Sequence, residues 1–157
     1  MKKNMWWFLI VIIVIGILVF ITINKKDEPA NGDVVGTEQE NMQNTTDGVK
    51  ITITKEGSGD VAKSGDTVAM NYTGKLADGT VFDSNVDPKF NHVEPFVFTI
   101  DGGMVIKGWD IGVLGMKVGE KRMLEIAPEF AYGESGIGPI PPNATLSFEV
   151  ELVAIKK

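Results

Sequence analysis

Apolar and polar positions divide the chain into three stretches of different rhythm. Met5 to Ile23 is a run of 19 residues without a charge. At about 1.5 Å of rise per residue, a helix of that length covers roughly 28 Å, close to the hydrocarbon thickness of a bilayer. Asp27 to Gly48 has no periodic apolar stripe. From Val49 onward the pattern alternates with period two, and Val49–Thr54, Thr67–Thr73, Thr80–Phe82, Pro95–Ile100, Lys121–Ala127 and Thr145–Ile155 read as strands with one buried face. Gly57, Gly59 and Ala77-Asp78-Gly79 supply turns between them. Only Lys107 to Leu114 has helical spacing: Val105, Ile106, Trp109 and Val113 recur at three and four residues, while Gly108, Gly112 and Gly115 keep the element short. The pattern predicts an α+β domain, a twisted antiparallel sheet curled around one short helix, preceded by an N-terminal transmembrane helix.

The first stretch, residues 5–23, is expected to be an uncleaved signal anchor in a single-pass membrane protein. A cleaved signal wants a shorter apolar core and a small-residue cleavage site, and Val19-Phe-Ile-Thr-Ile-Asn24 offers no such site. Trp6 and Trp7 suit the membrane interface. Lys2 and Lys3 precede the run, and Lys25 and Lys26 follow it beside Asp27 and Glu28, so orientation rests on the first helix acting as a signal anchor. The expected topology leaves everything after Asn24 outside the cytoplasm, as in a bacterial exported protein. Residues 24–48 read as a flexible acidic tether, because a segment this polar cannot repay the entropy of ordering. Residues 49–157 are enough for one hydrophobic core.

Charge and composition narrow the chemistry of that domain. It carries 11 Lys and Arg against 15 Asp and Glu, and no basic aromatic patch suggests nucleic acid. The chain has no cysteine and one histidine, which leaves few routes to covalent catalysis. Ser84 follows Asp83, yet no strand-turn-helix context of a serine hydrolase surrounds it, and His92 reads as a solvated loop residue. No ligand spacing for a metal appears, and no cofactor motif; Gly102-Gly103 is a turn rather than a phosphate loop. What remains is aromatic. Tyr72, Phe82, Trp109, Tyr132 and Phe148 fall on separate elements of one compact region, with a carboxylate at Asp83. Each could be an ordinary core residue, and Asp83 could cap the turn before Ser84.

Four segments weigh against that plainer reading. Tyr72-Thr-Gly-Lys-Leu-Ala-Asp-Gly-Thr-Val-Phe-Asp-Ser84, Val105-Ile-Lys-Gly-Trp109, Gly115-Met-Lys-Val-Gly-Glu-Lys-Arg122, and Ala131-Tyr-Gly133 with Ile140-Pro-Pro-Asn-Ala-Thr-Leu146 resemble, in order, the signatures of FK506-binding-protein-type peptidyl-prolyl cis-trans isomerases. The resemblance covers essentially all of residues 49–157. It implies that Trp109 forms the floor of an active-site cavity walled by Tyr72, Phe82, Phe96, Val105, Ile106, Tyr132 and Phe148, with Ile140 on an overhanging loop. Asp83 would lie at its edge. The Ile106 amide and the Tyr132 hydroxyl would each meet a substrate carbonyl. Asn85 to Glu94 is longer than in the smallest relatives, and Phe90 could alter the rim.

The expected activity is rotation of X-Pro bonds in exported proteins, with proline-containing polypeptides as substrates and FK506-like compounds as inhibitors. Such rotation needs neither acid, base nor nucleophile, which suits the residues present. The alternative is a noncatalytic proline-peptide-binding or chaperone-like module tethered to the membrane.

Overall fold

A computed structural model describes residues 43–156 of the chain. The predicted anchor and all but the end of the predicted tether lie outside the described residues. Among the described residues, no helix is long and apolar enough to cross a membrane.

The period-two stretches form an antiparallel sheet of seven strands: β1 (Gln43–Thr46), β2 (Val49–Lys55), β3 (Thr67–Leu76), β4 (Val81–Ser84), β5 (Phe96–Thr99), β6 (Lys121–Ile126) and β7 (Leu146–Lys156). Their order is β1-β2-β6-β7-β3-β4, and β5 pairs with β3 beside β4. The inward positions match the alternation in sequence, with Arg122, Leu124 and Ile126 buried on β6 and Leu146, Phe148, Val150 and Leu152 on β7. A register shift opposite Ala69 and Met70 makes β7 skip Val153. Val153 turns to solvent and Ile155 packs on the core, so the bulge moves the inward parity by one residue.

One short helix, α1 (Lys107–Val113), lies on the inner face. Its glycines are a contact surface as well as a limit on length. A Cβ at Gly112 would stand 2.5 Å from Leu124 Cδ1, and one at Gly108 would collide with the Ile126 side chain. Only glycine lets the helix backbone approach β6 this closely. The C-terminal end of α1 is held by Arg122, whose Nη1 donates to the carbonyls of Gly112 (2.8 Å) and Leu114 (3.1 Å) while its Nε donates to Glu120 Oε1 (2.6 Å). Glu120 Oε2 accepts the Lys117 N–H at 2.9 Å. Both side chains are buried, so a charge pair fixes the end of the helix against the sheet.

The α+β arrangement expected from the alternation is the one observed, and it includes four residues that their composition assigns to the tether. Residues 43–46 pair with Val49–Thr52 as an edge strand. Asp47 and Gly48, at φ 42° and 76°, form the reversal between the two strands, an Asp-Gly hairpin signal that needs no apolar stripe. Backbone hydrogen bonds to β2 hold this polar strand.

Candidate functional site

Where β3, β4 and β7 meet the N-terminal end of α1, the side chains enclose a cleft of about 590 Å³. Trp109 is its floor. The indole is 5% exposed and meets the rings of Tyr72, Phe98, Phe148 and Phe96 at centroid distances of 5.3, 5.7, 5.4 and 6.1 Å, mostly edge to face. Tyr72 comes from β3 and Phe148 from β7, and Phe82 meets Phe148 edge-on at 5.6 Å. Edge-to-face contact is one of the two arrangements that aromatic pairs prefer.

Consecutive residues of a regular strand point to opposite faces, yet Phe82 and Asp83 both line the cleft. A bulge on β4 explains this: Gly74 pairs with Asp83 and Lys75 with Val81, leaving Phe82 without an opposite number. The same bulge brings the Asp83 carboxylate to Tyr72, whose hydroxyl donates to Oδ2 at 2.6 Å. Asp83 Oδ1 accepts the Ser84 N–H at 2.9 Å and lies 2.8 Å from His92 Nε2. The carboxylate therefore caps its own turn and also belongs to the cleft. Burial above all, then the bond and the charge of Asp83, push the Tyr72 phenol well above the ordinary tyrosine range; burial first and Asp83 second also raise Tyr132.

Two polar groups of the cleft stay unbonded among the described residues. The Ile106 N–H precedes α1 and donates to no acceptor there, and the Tyr132 hydroxyl has no partner. Ser84 is the opposite case. It is fully buried, its hydroxyl engages Thr73, the Tyr72 carbonyl and the Val86 N–H, and His92 bonds Asp83 instead of Ser84. No activated nucleophile exists at that position.

Of the residues expected around the cavity, Tyr72, Phe82, Asp83, Phe96, Val105, Ile106, Trp109, Tyr132 and Phe148 are brought together. Ile140 is not. It is 6% exposed and packs in the core, while Ile137 at the loop tip is 57% exposed. The two form a bridge (Ile137 N–H to Ile140 carbonyl 3.0 Å, the reverse 2.8 Å) across Gly138-Pro139, and this reversal turns Ile140 inward. Met104, Lys107, Glu129, Phe130 and Ala131 also line the cleft and escaped the sequence reading. Phe130 had a signal, since Pro128 starts a 3-10 turn directly after β6 and places this aromatic beside the mouth. His92, read as a solvated loop residue, is half exposed but bonded to Asp83.

The geometry can be set beside known proteins. A family model described as FKBP-type peptidyl-prolyl cis-trans isomerase matches residues 59–153. FK506-binding protein 1 of Dictyostelium discoideum is 52% identical over 110 residues, 69% of this chain and 99% of that one. FK506-binding protein 4 of Aspergillus oryzae is 52% identical over 109 residues, 69% of this chain but 22% of that one. Among solved structures, FkpA from Escherichia coli superposes with a TM-score of 0.65 at 40% identity, over 76% of this chain and 53% of that one.

Proposed function

The chain belongs to the FKBP-type peptidyl-prolyl cis-trans isomerase family, and we propose on that premise that the cleft floored by Trp109 is where it rotates X-Pro bonds. The observation that carries this reading is the pairing of an apolar floor with two unbonded donors, the Ile106 N–H and the Tyr132 hydroxyl. Rotation about the peptide bond faces a barrier of about 20 kcal/mol and takes tens of seconds unaided. In the twisted transition state the nitrogen lone pair leaves conjugation and the amide becomes less dipolar, so rings serve it better than water. Two donors aimed at flanking carbonyls hold the peptide in a turn while the central bond rotates. Stabilising the twisted form more than either planar form is sufficient for catalysis.

Asp83 acts in this scheme by orientation and not by proton transfer. Its oxygens receive bonds from Tyr72, the Ser84 N–H and His92, an arrangement that orients the β4 rim and keeps the Tyr72 ring against Trp109. The substrates are proline-containing polypeptides, and FK506-like compounds would compete for the same floor. An exchange assay on X-Pro peptides, with and without such a compound, tests the site. Acceleration that a cleft-filling inhibitor and a Tyr132 change both leave untouched would place the activity elsewhere.

The setting of the reaction rests on residues 5–23. Their 19 uncharged positions support a membrane anchor, and Lys2 and Lys3 before them support a domain outside the cytoplasm. The clients would then be exported proteins whose folding waits on proline bonds. Protease added to intact cells should remove the domain; protection until the membrane is opened would reverse the topology.

A further inference from the structure

The loop between β4 and β5 is built to present one side chain. Asn85, buried at its start, accepts the Tyr72 N–H (2.7 Å) and donates to the carbonyls of Met70 (2.9 Å) and Glu94 (3.0 Å), so one amide clamps both ends of the loop to β3. Inside the clamp, Asp87 caps a 3-10 turn over Pro88–Phe90, accepting the Lys89 N–H at 3.1 Å. Asn91 then takes a left-handed conformation, φ 60°. Beyond that reversal His92 reaches Asp83 at the edge of the cleft, with its ring 6.5 Å from those of both Tyr72 and Phe90.

We propose that His92 is a specificity-determining residue, its contact with Asp83 setting the charge that this corner of the cleft presents to residues flanking the substrate proline. This rests on the cleft being the isomerase site. The supporting geometry is the 2.8 Å contact between Nε2 and Asp83 Oδ1, on a side chain that is the chain's one histidine. The groups around it leave Asp83 as its ionic partner. Lys89 pairs with Asp87 at 3.1 Å and lies over the Phe90 ring, Tyr72 donates to Asp83, and burial first and the charge of Asp83 second raise the Tyr132 phenol. A side chain of fixed positive charge at this position would make the corner a neutral ion pair, and an uncharged one would leave the Asp83 carboxylate uncompensated.

Both groups are partly exposed, so the effect is a modest one. The test measures kcat/KM for two peptides, with Glu or Lys before proline, in the full chain carrying His92→Arg or His92→Gln. The Glu-to-Lys ratio should be about two- to fivefold higher in His92→Arg than in His92→Gln, the range expected of a single exposed charge contact. Taking a ratio cancels any general effect of the substitution on folding. Equal ratios in the two variants overturn the proposal while leaving the isomerase site standing. Acceleration of neither peptide by the native protein removes both.

Discussion

The Tyr72 hydroxyl on β3 donates to Asp83 Oδ2 on β4 at 2.6 Å, and the same tyrosine ring stands edge-on to Trp109 at 5.3 Å. One side chain thus couples the charged rim of the cleft to its apolar floor. The coupling has a cost at high pH, because a phenol bonded to a carboxylate must lose its proton against that charge.

Ionisation of the tyrosines supplies the first prediction. The chain has two, Tyr72 and Tyr132, and both are raised above the ordinary value. A raised native pKa means that the folded protein holds the proton more tightly than the unfolded chain. The corresponding stability is complete below the unfolded value near 10 and is lost as pH rises from there through the native values. Absorbance at 295 nm at pH 10 should be lower in the native protein than after urea is added. A native titration with its midpoint near 10 would contradict the arrangement.

Removing the Tyr132 hydroxyl separates binding chemistry from folding. The group has no hydrogen-bond partner among the described residues, so Tyr132→Phe should leave the urea midpoint almost unchanged. It should lower kcat/KM for an X-Pro peptide about two- to tenfold, the worth of one net hydrogen bond of about 0.5–1.5 kcal/mol. Loss of stability without loss of rate would show that the hydroxyl serves the fold.

Asn85→Ala tests the clamp on the long loop. The substitution strips partners from the Tyr72 N–H and from the Met70 and Glu94 carbonyls. A cost of roughly 2–3 kcal/mol is expected, since buried groups left without partners carry a desolvation penalty. Hydrogen exchange should report it locally, with faster exchange at Tyr72 than at Leu124 in the middle of β6. Uniform loss of protection over the sheet would argue that Asn85 acts on global stability alone.

How much of this was legible in the chain depends on the kind of force involved. β3, β6 and β7 announce themselves because a half-buried strand must alternate, and α1 because Trp109 and Val113 recur at helical spacing. β1 leaves no hydrophobic trace, as its hold on β2 is backbone hydrogen bonding around Asp47-Gly48. The bulge that aims Phe82 and Asp83 into one cleft is invisible to a period-two reading, which assigns them opposite faces. The inward turn of Ile140 is hidden for a related reason, since it follows from the reversal across Gly138-Pro139. The His92 bond to Asp83 spans a loop whose course is set by Asn85 and by a left-handed Asn91, and neither follows from hydrophobic pattern. The aromatic lining was nevertheless accessible through motif order, since the signatures bring Tyr72, Trp109 and Tyr132 to one site from distant segments.

The buried Glu120–Arg122 pair yields the last prediction, about how α1 is held beneath the cleft. Arg122 donates to Glu120 and to the carbonyls at the end of α1, so its removal leaves a buried carboxylate with the Lys117 N–H as its remaining contact. Arg122→Met should therefore cost about 3–5 kcal/mol, chiefly the penalty of an unpaired buried charge. The double variant Glu120→Leu/Arg122→Met removes both charges and should be more stable than Arg122→Met alone, despite having lost more native bonds. Urea unfolding of the two proteins decides the matter. If the double variant is the weaker, the bond from the Lys117 N–H to Glu120 is worth more than the penalty of leaving that carboxylate unpaired. In either case kcat/KM measured well below the unfolding midpoint should fall in Arg122→Met, because the helix whose end comes free is the one that carries Trp109 into the cleft.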